Sequence, residues 1–350
     1  MDIYLKKAIL HIIDRETGTP VFSEKELDLT TEYIRTYLTA KISKLSTAQT
    51  KTGTLAENSS FVDTLRGIPS DFVKKSQEVT QHWYDVYSGS EDAPSADILF
   101  ILYELDTVLH VAMIKLNYKE SYTHYVDYEE ESVYNKLIIN RAILSSKSQK
   151  PDEGITVDLD TLAFELLEKR YEFSGEKIWY FSEKVIETQA APSMEENIKE
   201  IKKAVKRIGK EFNEDEFELM ASVKEAVYDS IEETGTIDNE QIAEQVFKEN
   251  VSAKLAYQEE VNESKFVDKT PPVRESREIS EKKFGKQKLK MDNGIELIVP
   301  LDVYRNGDLI EFVNNPDGTV SIMLKNIEKK LVINYKEKTV GRLPTVFSLF

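Results

Sequence analysis

The chain has no cysteine among its 350 residues. That excludes disulfides, zinc–thiolate sites, iron–sulfur clusters and a cysteine nucleophile, and it fits a reducing compartment. Histidine is scarce: His11, His82, His110 and His124 are the four present. No two stand at the i, i+4 spacing of a helical metal site, and none sits in an HExxH-like motif. Long apolar runs are missing as well. The densest apolar passage, residues 96–117 (ADILFILYELDTVLHVAMIKLN), is broken by Asp97, Glu104, Asp106, His110 and Lys115. It falls short of the roughly 20 apolar residues a bilayer crossing takes. The opening MDIYLKKAILHIIDRE has too short an apolar stretch for a secretory signal and reads as the first strand of an intracellular protein. No GxxxxGK[ST], GxGxxG or GxSxG motif is present.

A positive surplus is also lacking. The net charge of −17 argues against adhesion to nucleic acid over the whole surface, because phosphate binding is driven by lysine and arginine displacing counterions. The charge is unevenly spread. Residues 213–240 carry ten acids against the single base Lys224, whereas residues 282–350 carry twelve bases and eight acids. Any nucleic-acid contact is therefore expected to be local.

What is present suffices for real cores, with 40% hydrophobic residues in a chain long enough for two or three domains. Residues 3–13 read as a strand with a partner near residues 20–23. Thr30 is expected to cap a helix whose apolar face is Tyr33, Ile34, Tyr37, Leu38, Ile42 and Leu45. Helical pattern runs through residues 61–87 with a break at Pro69. The two apolar halves of residues 96–117 then read as a buried hairpin, and residues 133–144 and 155–159 as further strands. His124, among tyrosines and acids, reads as part of a solvated acidic loop, and His11 and His110 as structural histidines within apolar strands.

From Ser174 the pattern turns helical, with that serine expected to open a helix through Ile178, Phe181 and Val185. Ser193 and Glu196 form a capping box, Asn213 with Glu216 is expected to start an acidic helix with Phe217 facing inward, and Asp238 with Gln241 caps the next. Residues 262–281, with Pro271-Pro272, read as a linker. Beyond it the period drops to two around Asn293-Gly294, Asn306-Gly307 and Asn315-Pro316-Asp317-Gly318, and residues 331–335 read as a last strand. The expectation is an α+β fold in four parts. These are an N-terminal antiparallel sheet with helices (1–173), a helical middle region (174–261), the linker (262–281) and a small C-terminal β-meander module (282–350).

Two basic clusters are the candidate sites. Behind the capping box, Ile198, Ile201, Val205 and Ile208 make one apolar stripe, which puts Lys199, Lys202, Lys203, Lys206, Arg207 and Lys210 on the opposite half of the helix. A solvated face with i, i+4 partners such as Glu195–Lys199 weighs about evenly against phosphate binding. The second cluster is Lys282, Lys283, Lys286, Lys288 and Lys290, of which the last three share one face of a strand. Neither has the interleaved aromatics of a single-strand binder. Asp158, Asp160, Glu165, Glu168 and Lys169 offer the makings of a metal-dependent nuclease, but nothing in their spacing anchors such a site.

The order of these segments resembles the bacterial nucleoid-associated protein family along the whole chain. The segments that carry it are IYLKKAILHIIDRE, SSFVDTLRGI, residues 96–117, THYVD at 123–127, ITVDLD, GEKIWYFSEKVIE and above all GIELIVPLDVYRNGDLIEFVNNPDGTVSIMLKNI at 294–327. The resemblance implies a nucleoid-associated, DNA-binding, non-enzymatic cytoplasmic protein, with a topoisomerase or another DNA-processing protein as the alternative partner. It supplies no residue-level DNA site. No catalytic residue, metal, cofactor or membrane is expected, and a homo-oligomer is left open.

Overall fold

Strand β1 (Ile3–Ile13) opens the chain, and Val21 returns beside Ile12 as an isolated bridge. Helix α1 (Glu32–Ser43) follows, then β2 (Lys51–Thr54), α2 (Ser60–Arg66) and α3 (Phe72–Tyr87). The N-cap of α1 is Thr31, and Thr30 instead donates its hydroxyl to Asp28 at 2.6 Å. The apolar passage is a hairpin, β3 (Ala96–Leu105) and β4 (Val108–Asn117), turned by Asp106 and Thr107. Both turn residues have positive φ, 48° and 71°, the backbone twist that a two-residue turn needs between right-twisted strands. After it come β5 (Lys119–Glu129), β6 (Ser132–Ile143), β7 (Glu153–Asp158) and β8 (Ala163–Leu167). This computed structural model describes residues 2–129, 132–263, 273–316 and 318–327.

The main sheet is antiparallel throughout, in the order β1-β3-β4-β7-β8-β2. Strand β3 is apolar from Ile98 to Tyr103 because both its faces are covered. Ile98, Phe100 and Leu102 join the core beneath α2 and α3, whereas Leu99, Ile101 and Tyr103 join the core beneath α1. Opposite each other on β4 and β7, Lys115 and Glu153 form an ion pair that is almost wholly buried. The Lys115 ammonium also donates to the Tyr171 hydroxyl at 2.8 Å, and that hydroxyl donates to Glu153 at 3.0 Å. Burial holds the ammonium below its ordinary pKa. Such a network specifies register, since a slip would leave a buried charge unpaired.

Among the described residues, strands β5 and β6 pair only with each other, as a two-stranded ribbon that lies between β4 and β7 in the chain. The acidic loop expected around His124 is therefore a strand, because residues 119–129 find a partner in residues 132–143. The helix expected from Ser174 is another correction. Strands β9 (Tyr171–Phe173) and β10 (Glu176–Ile178) form a hairpin, turned by Ser174 at φ 52° and Gly175 at φ 80°. Helical backbone begins only afterwards, in a π-helical turn, Phe181–Val185.

Five helices build a second core: α4 (Met194–Glu211), α5 (Glu216–Thr234), α6 (Asn239–Val246), α7 (Val251–Glu263) and α8 (Ser276–Phe284). Asn213 does not cap α5. It lies at φ 56°, and Asp215 accepts from the Glu218 amide at 2.9 Å. With that start, Phe217 falls in the first turn ahead of the buried Leu219 and is exposed. Gly235, at φ 79°, ends α5 as a left-handed cap. Asp238 caps α6 through the Glu240 and Gln241 amides. Part of the stretch read as a linker is the helix α8.

Two compact units make up the chain, Met1–Phe284 and Gly285–Phe350. The described residues of the second form two hairpins. Strands β11 (Lys286–Lys290) and β12 (Glu296–Pro300) are turned at Asn293-Gly294, then a short helix, α9 (Leu301–Tyr304), leads to β13 (Ile310–Asn314) and β14 (Val320–Leu324). Leu289, Val299 and Ile310 form its core. The strand expected at residues 331–335 lies outside the described residues.

Candidate nucleic-acid interface

Helix α4 carries the stronger basic face. Its start is fixed by the capping box: Glu196 accepts from the Ser193 amide at 2.8 Å, and Ser193 accepts from the Glu196 amide at 3.3 Å. Ile198, Ile201, Val205 and Ile208 are buried in the same core as Val223, Val227 and Ile231 of α5. That packing leaves Lys199, Lys202, Lys203, Lys206, Arg207 and Lys210 all exposed on the outer half. At a rise of about 1.5 Å per residue they span roughly 16 Å, close to five steps along one B-form strand.

Half of this charge is answered within the chain. Lys203 pairs with Glu200 at 2.7 Å, Lys206 with Glu216 at 2.6 Å, and Arg207 clasps Glu260 in a forked pair with Nε at 3.1 Å from both oxygens. The forked geometry holds that guanidinium above its ordinary pKa. Lys199, Lys202 and Lys210 have no ion-pair partner among the described residues. The expected Glu195–Lys199 pair does not form, because Glu195 reaches Lys283 of α8 at 3.2 Å. On α5, burial lowers the Lys224 ammonium pKa and the nearby Lys202 charge adds to the effect.

The second cluster divides. Lys282 and Lys283 are on α8 in the first unit, where Lys282 pairs with Glu278 at 3.5 Å. Lys286, Lys288 and Lys290 lie in the second unit, exposed at alternate positions of β11, with Lys288 paired to Glu296 at 2.9 Å.

The carboxylates that suggested a nuclease are not brought to a common point of chemistry. Asp158 accepts from the Asp160 and Thr161 amides of its own turn, at 2.8 and 3.0 Å. Glu165 pairs with Arg274 at 3.0 Å, and Glu168 pairs with Lys51 at 3.0 Å while accepting from Ser182. No group of three metal-ligating side chains occurs among the described residues. The two histidines of the main sheet are held by structural hydrogen bonds. His11 accepts from the Ser23 amide through Nδ1 at 3.2 Å, so Nε2 donates to Ser76 at 3.1 Å, and burial lowers its pKa to about 4. His110 donates through Nδ1 to the Val108 carbonyl at 3.0 Å and stacks on Tyr103.

One surface feature escaped the sequence reading. The Trp179 ring meets two cations, Lys51, whose Nζ is 3.6 Å from the ring centroid, and Arg170 at 4.5 Å. They line a groove of mixed polarity of about 1120 Å³ with Ser182, Glu183 and Glu187, beside the π-helical turn. Lys51 and Trp179 are far apart in sequence, so only folding reveals the groove.

No helix among the described residues is long and apolar enough to cross a membrane. A comparison with curated proteins finds no match. The family model described as nucleoid-associated protein YejK matches residues 9–332, spanning the sheet, both basic faces and the two C-terminal hairpins. The chain belongs to this family of nucleoid-associated proteins.

Proposed function

We propose that the chain is a non-enzymatic protein of the bacterial cytoplasm that binds duplex DNA in the nucleoid through phosphate contacts with little sequence preference. The observation that carries this reading is the α4 face: six exposed cations on one side of a capped, core-packed helix, in a chain whose net charge is −17. The Lys282–Lys283 pair and the Lys286, Lys288 and Lys290 face supply further backbone contacts. Membership of a nucleoid-associated family supports it. Contacts of this kind neutralise phosphates and release counterions, so affinity falls steeply with salt. The test is a salt titration of duplex binding, run with and without magnesium. Replacing Lys199, Lys202 and Lys210 by glutamate removes three contacts and lowers the log–log salt slope by about 3. An unchanged slope sinks the α4 assignment, and magnesium-dependent cleavage that EDTA abolishes sinks the non-enzymatic part.

A second reading has its own observation. Phe217 is exposed at the start of α5 beside Glu216 and Glu218, in the acidic stretch of the chain. An aromatic anchor ringed by acids suits a basic protein partner, such as a DNA-processing enzyme of the topoisomerase type. It predicts no retention on DNA at physiological salt, and capture of that enzyme that Phe217→Ala abolishes.

A further inference from the structure

The β5–β6 ribbon has two chemically different sides. Directly paired residues share a side, so Tyr122 with Ile139, His124 with Leu137, Val126 with Asn135, and Tyr128 with Val133 make one face. The other face holds Thr123 with Ile138, Tyr125 with Lys136, and Asp127 with Tyr134. The first is the pattern of a strand pair packed on a core, yet Tyr128 is 77% exposed, Leu137 74%, Val133 63%, Tyr122 62% and Ile139 44%. These five side chains leave on the order of 600 Å² uncovered, near the roughly 800 Å² per partner of a standard interface. An apolar patch of that size on a soluble surface marks a contact site.

The same unit has a matching vacancy. Leu10, Leu27, Ile34, Tyr37, Leu99 and Leu144 line an apolar groove of about 920 Å³ beside α1. The groove begins at the foot of the ribbon, since Leu144 follows Ile143 directly. That foot is rigid: Lys41, buried, donates to the Ser145 hydroxyl and to the carbonyls of Ser146 and Gln149, the last two at 3.0 Å. A ribbon held at its base is already oriented for docking and loses little freedom when it docks.

We propose that two copies of the chain form a two-fold dimer in which each ribbon lays its Tyr122–Tyr128–Leu137 face on the groove beside α1 of the other. The exchange is isologous, so it buries both ribbons and both grooves and leaves neither surface to propagate a filament. Nucleic acid and anionic lipid do not fit the ribbon. Its bases are Lys119, Lys136 and Arg141, against Glu120, Asp127 and Glu129–Glu131 in the sequence. Lys136 is already paired with Asp127, and Arg141 with Glu120 at 3.4 Å. The inference stands apart from the DNA reading and fails or holds without it.

The test is sedimentation equilibrium of the full chain, with two variants that differ only in the face they alter. Tyr128→Lys with Leu137→Lys raises the dimer dissociation constant about a hundredfold or more, the size expected for lost hot-spot residues. Tyr125→Lys with Ile138→Lys, on the other side, leaves it within a few-fold. All four side chains are exposed, so circular dichroism of the variants stays that of the parent. A parent chain that is monomeric at about 100 µM overturns the proposal, as does equal weakening by both pairs. The cysteine-free chain also allows the seat to be located. Oxidising a mixture of Leu137→Cys and Tyr33→Cys chains gives a ribbon-to-groove cross-link. Cross-linking of Leu137→Cys only with itself overturns the groove as the seat. Loss of duplex-DNA binding by the Tyr128–Leu137 variant while it remains dimeric assigns the ribbon face to nucleic acid and overturns the proposal.

Discussion

Two hairpins follow one another in this chain and meet opposite fates. The β3–β4 hairpin, with strands of ten residues, is buried along β3 at every position but Glu104. The β5–β6 hairpin, with strands of eleven and twelve residues, is exposed along β6 at every position but Ile143. Both are antiparallel pairs, so the difference is one of surroundings. Strand β3 has β1 on one edge, β4 on the other, and helices over both faces. Among the described residues the ribbon pairs with no third strand, and β6 stays exposed along nearly all its length. Pairing is thus a local property of the sequence, whereas burial depends on what the rest of the chain brings alongside.

The comparison can be broken most directly at its ion pairs. Lys115→Met leaves Glu153 buried without its cation and costs about 3–5 kcal/mol in denaturant-unfolding stability. A loss no larger than that of a surface substitution would mean that the network sets nothing. Next in size is an acid effect on the sheet through His11. Its folded pKa, about 4, lies below the ordinary 6.5. Between those values the unfolded chain binds the extra proton, so the stability contributed by neutral His11 is complete above 6.5 and is lost as pH falls toward 4. The loss is about 3 kcal/mol, at 1.36 kcal/mol per pKa unit. Urea midpoints measured from pH 7 to pH 4 should show this decline, and His11→Gln should flatten it. In the ribbon, Leu137→Ser shifts the stability of the dissociated chain by no more than about 0.5 kcal/mol, because that side chain is exposed. A loss of several times that amount would show that the ribbon packs against its own chain. The smallest effect belongs to Asp127→Asn. Its pair with Lys136 is solvent-exposed, and the unfolding midpoint should not move.

The sequence was legible where local chemistry decided the outcome. The broken apolar run gave β3 and β4, Pro69 divided α2 from α3, and Ser193 with Glu196 marked the start of α4 together with its basic half. It misled where a turn depended on backbone conformation. Ser174 and Asn213 both resemble helix caps, yet each sits at positive φ just ahead of the true element. It was silent where partners come from distant segments. The expected Glu195–Lys199 pair lost to Lys283, which no helical spacing could announce. The Lys51–Trp179–Arg170 groove draws its walls from β2 and from the chain around the π-helical turn. Strand β5 was obscured because Tyr122, His124, Val126 and Tyr128 alternate with polar residues beside an acidic run, a pattern equally suited to a solvated loop.

The place of the ribbon in the chain has a further consequence. It is an insertion between β4 and β7, which pair as though the 25 residues from Lys119 to Ile143 were a short turn. Closing a longer loop adds a cost that grows only logarithmically, so the sheet hardly registers the insertion. An isolated two-stranded hairpin is marginal in water. Ribbon amides in the separated chain therefore exchange with solvent through openings far smaller than global unfolding, while β3 amides wait for the whole sheet to open. The ribbon is an appendage that shares the fold's address but little of its stability, free to vary without disturbing the sheet that carries it.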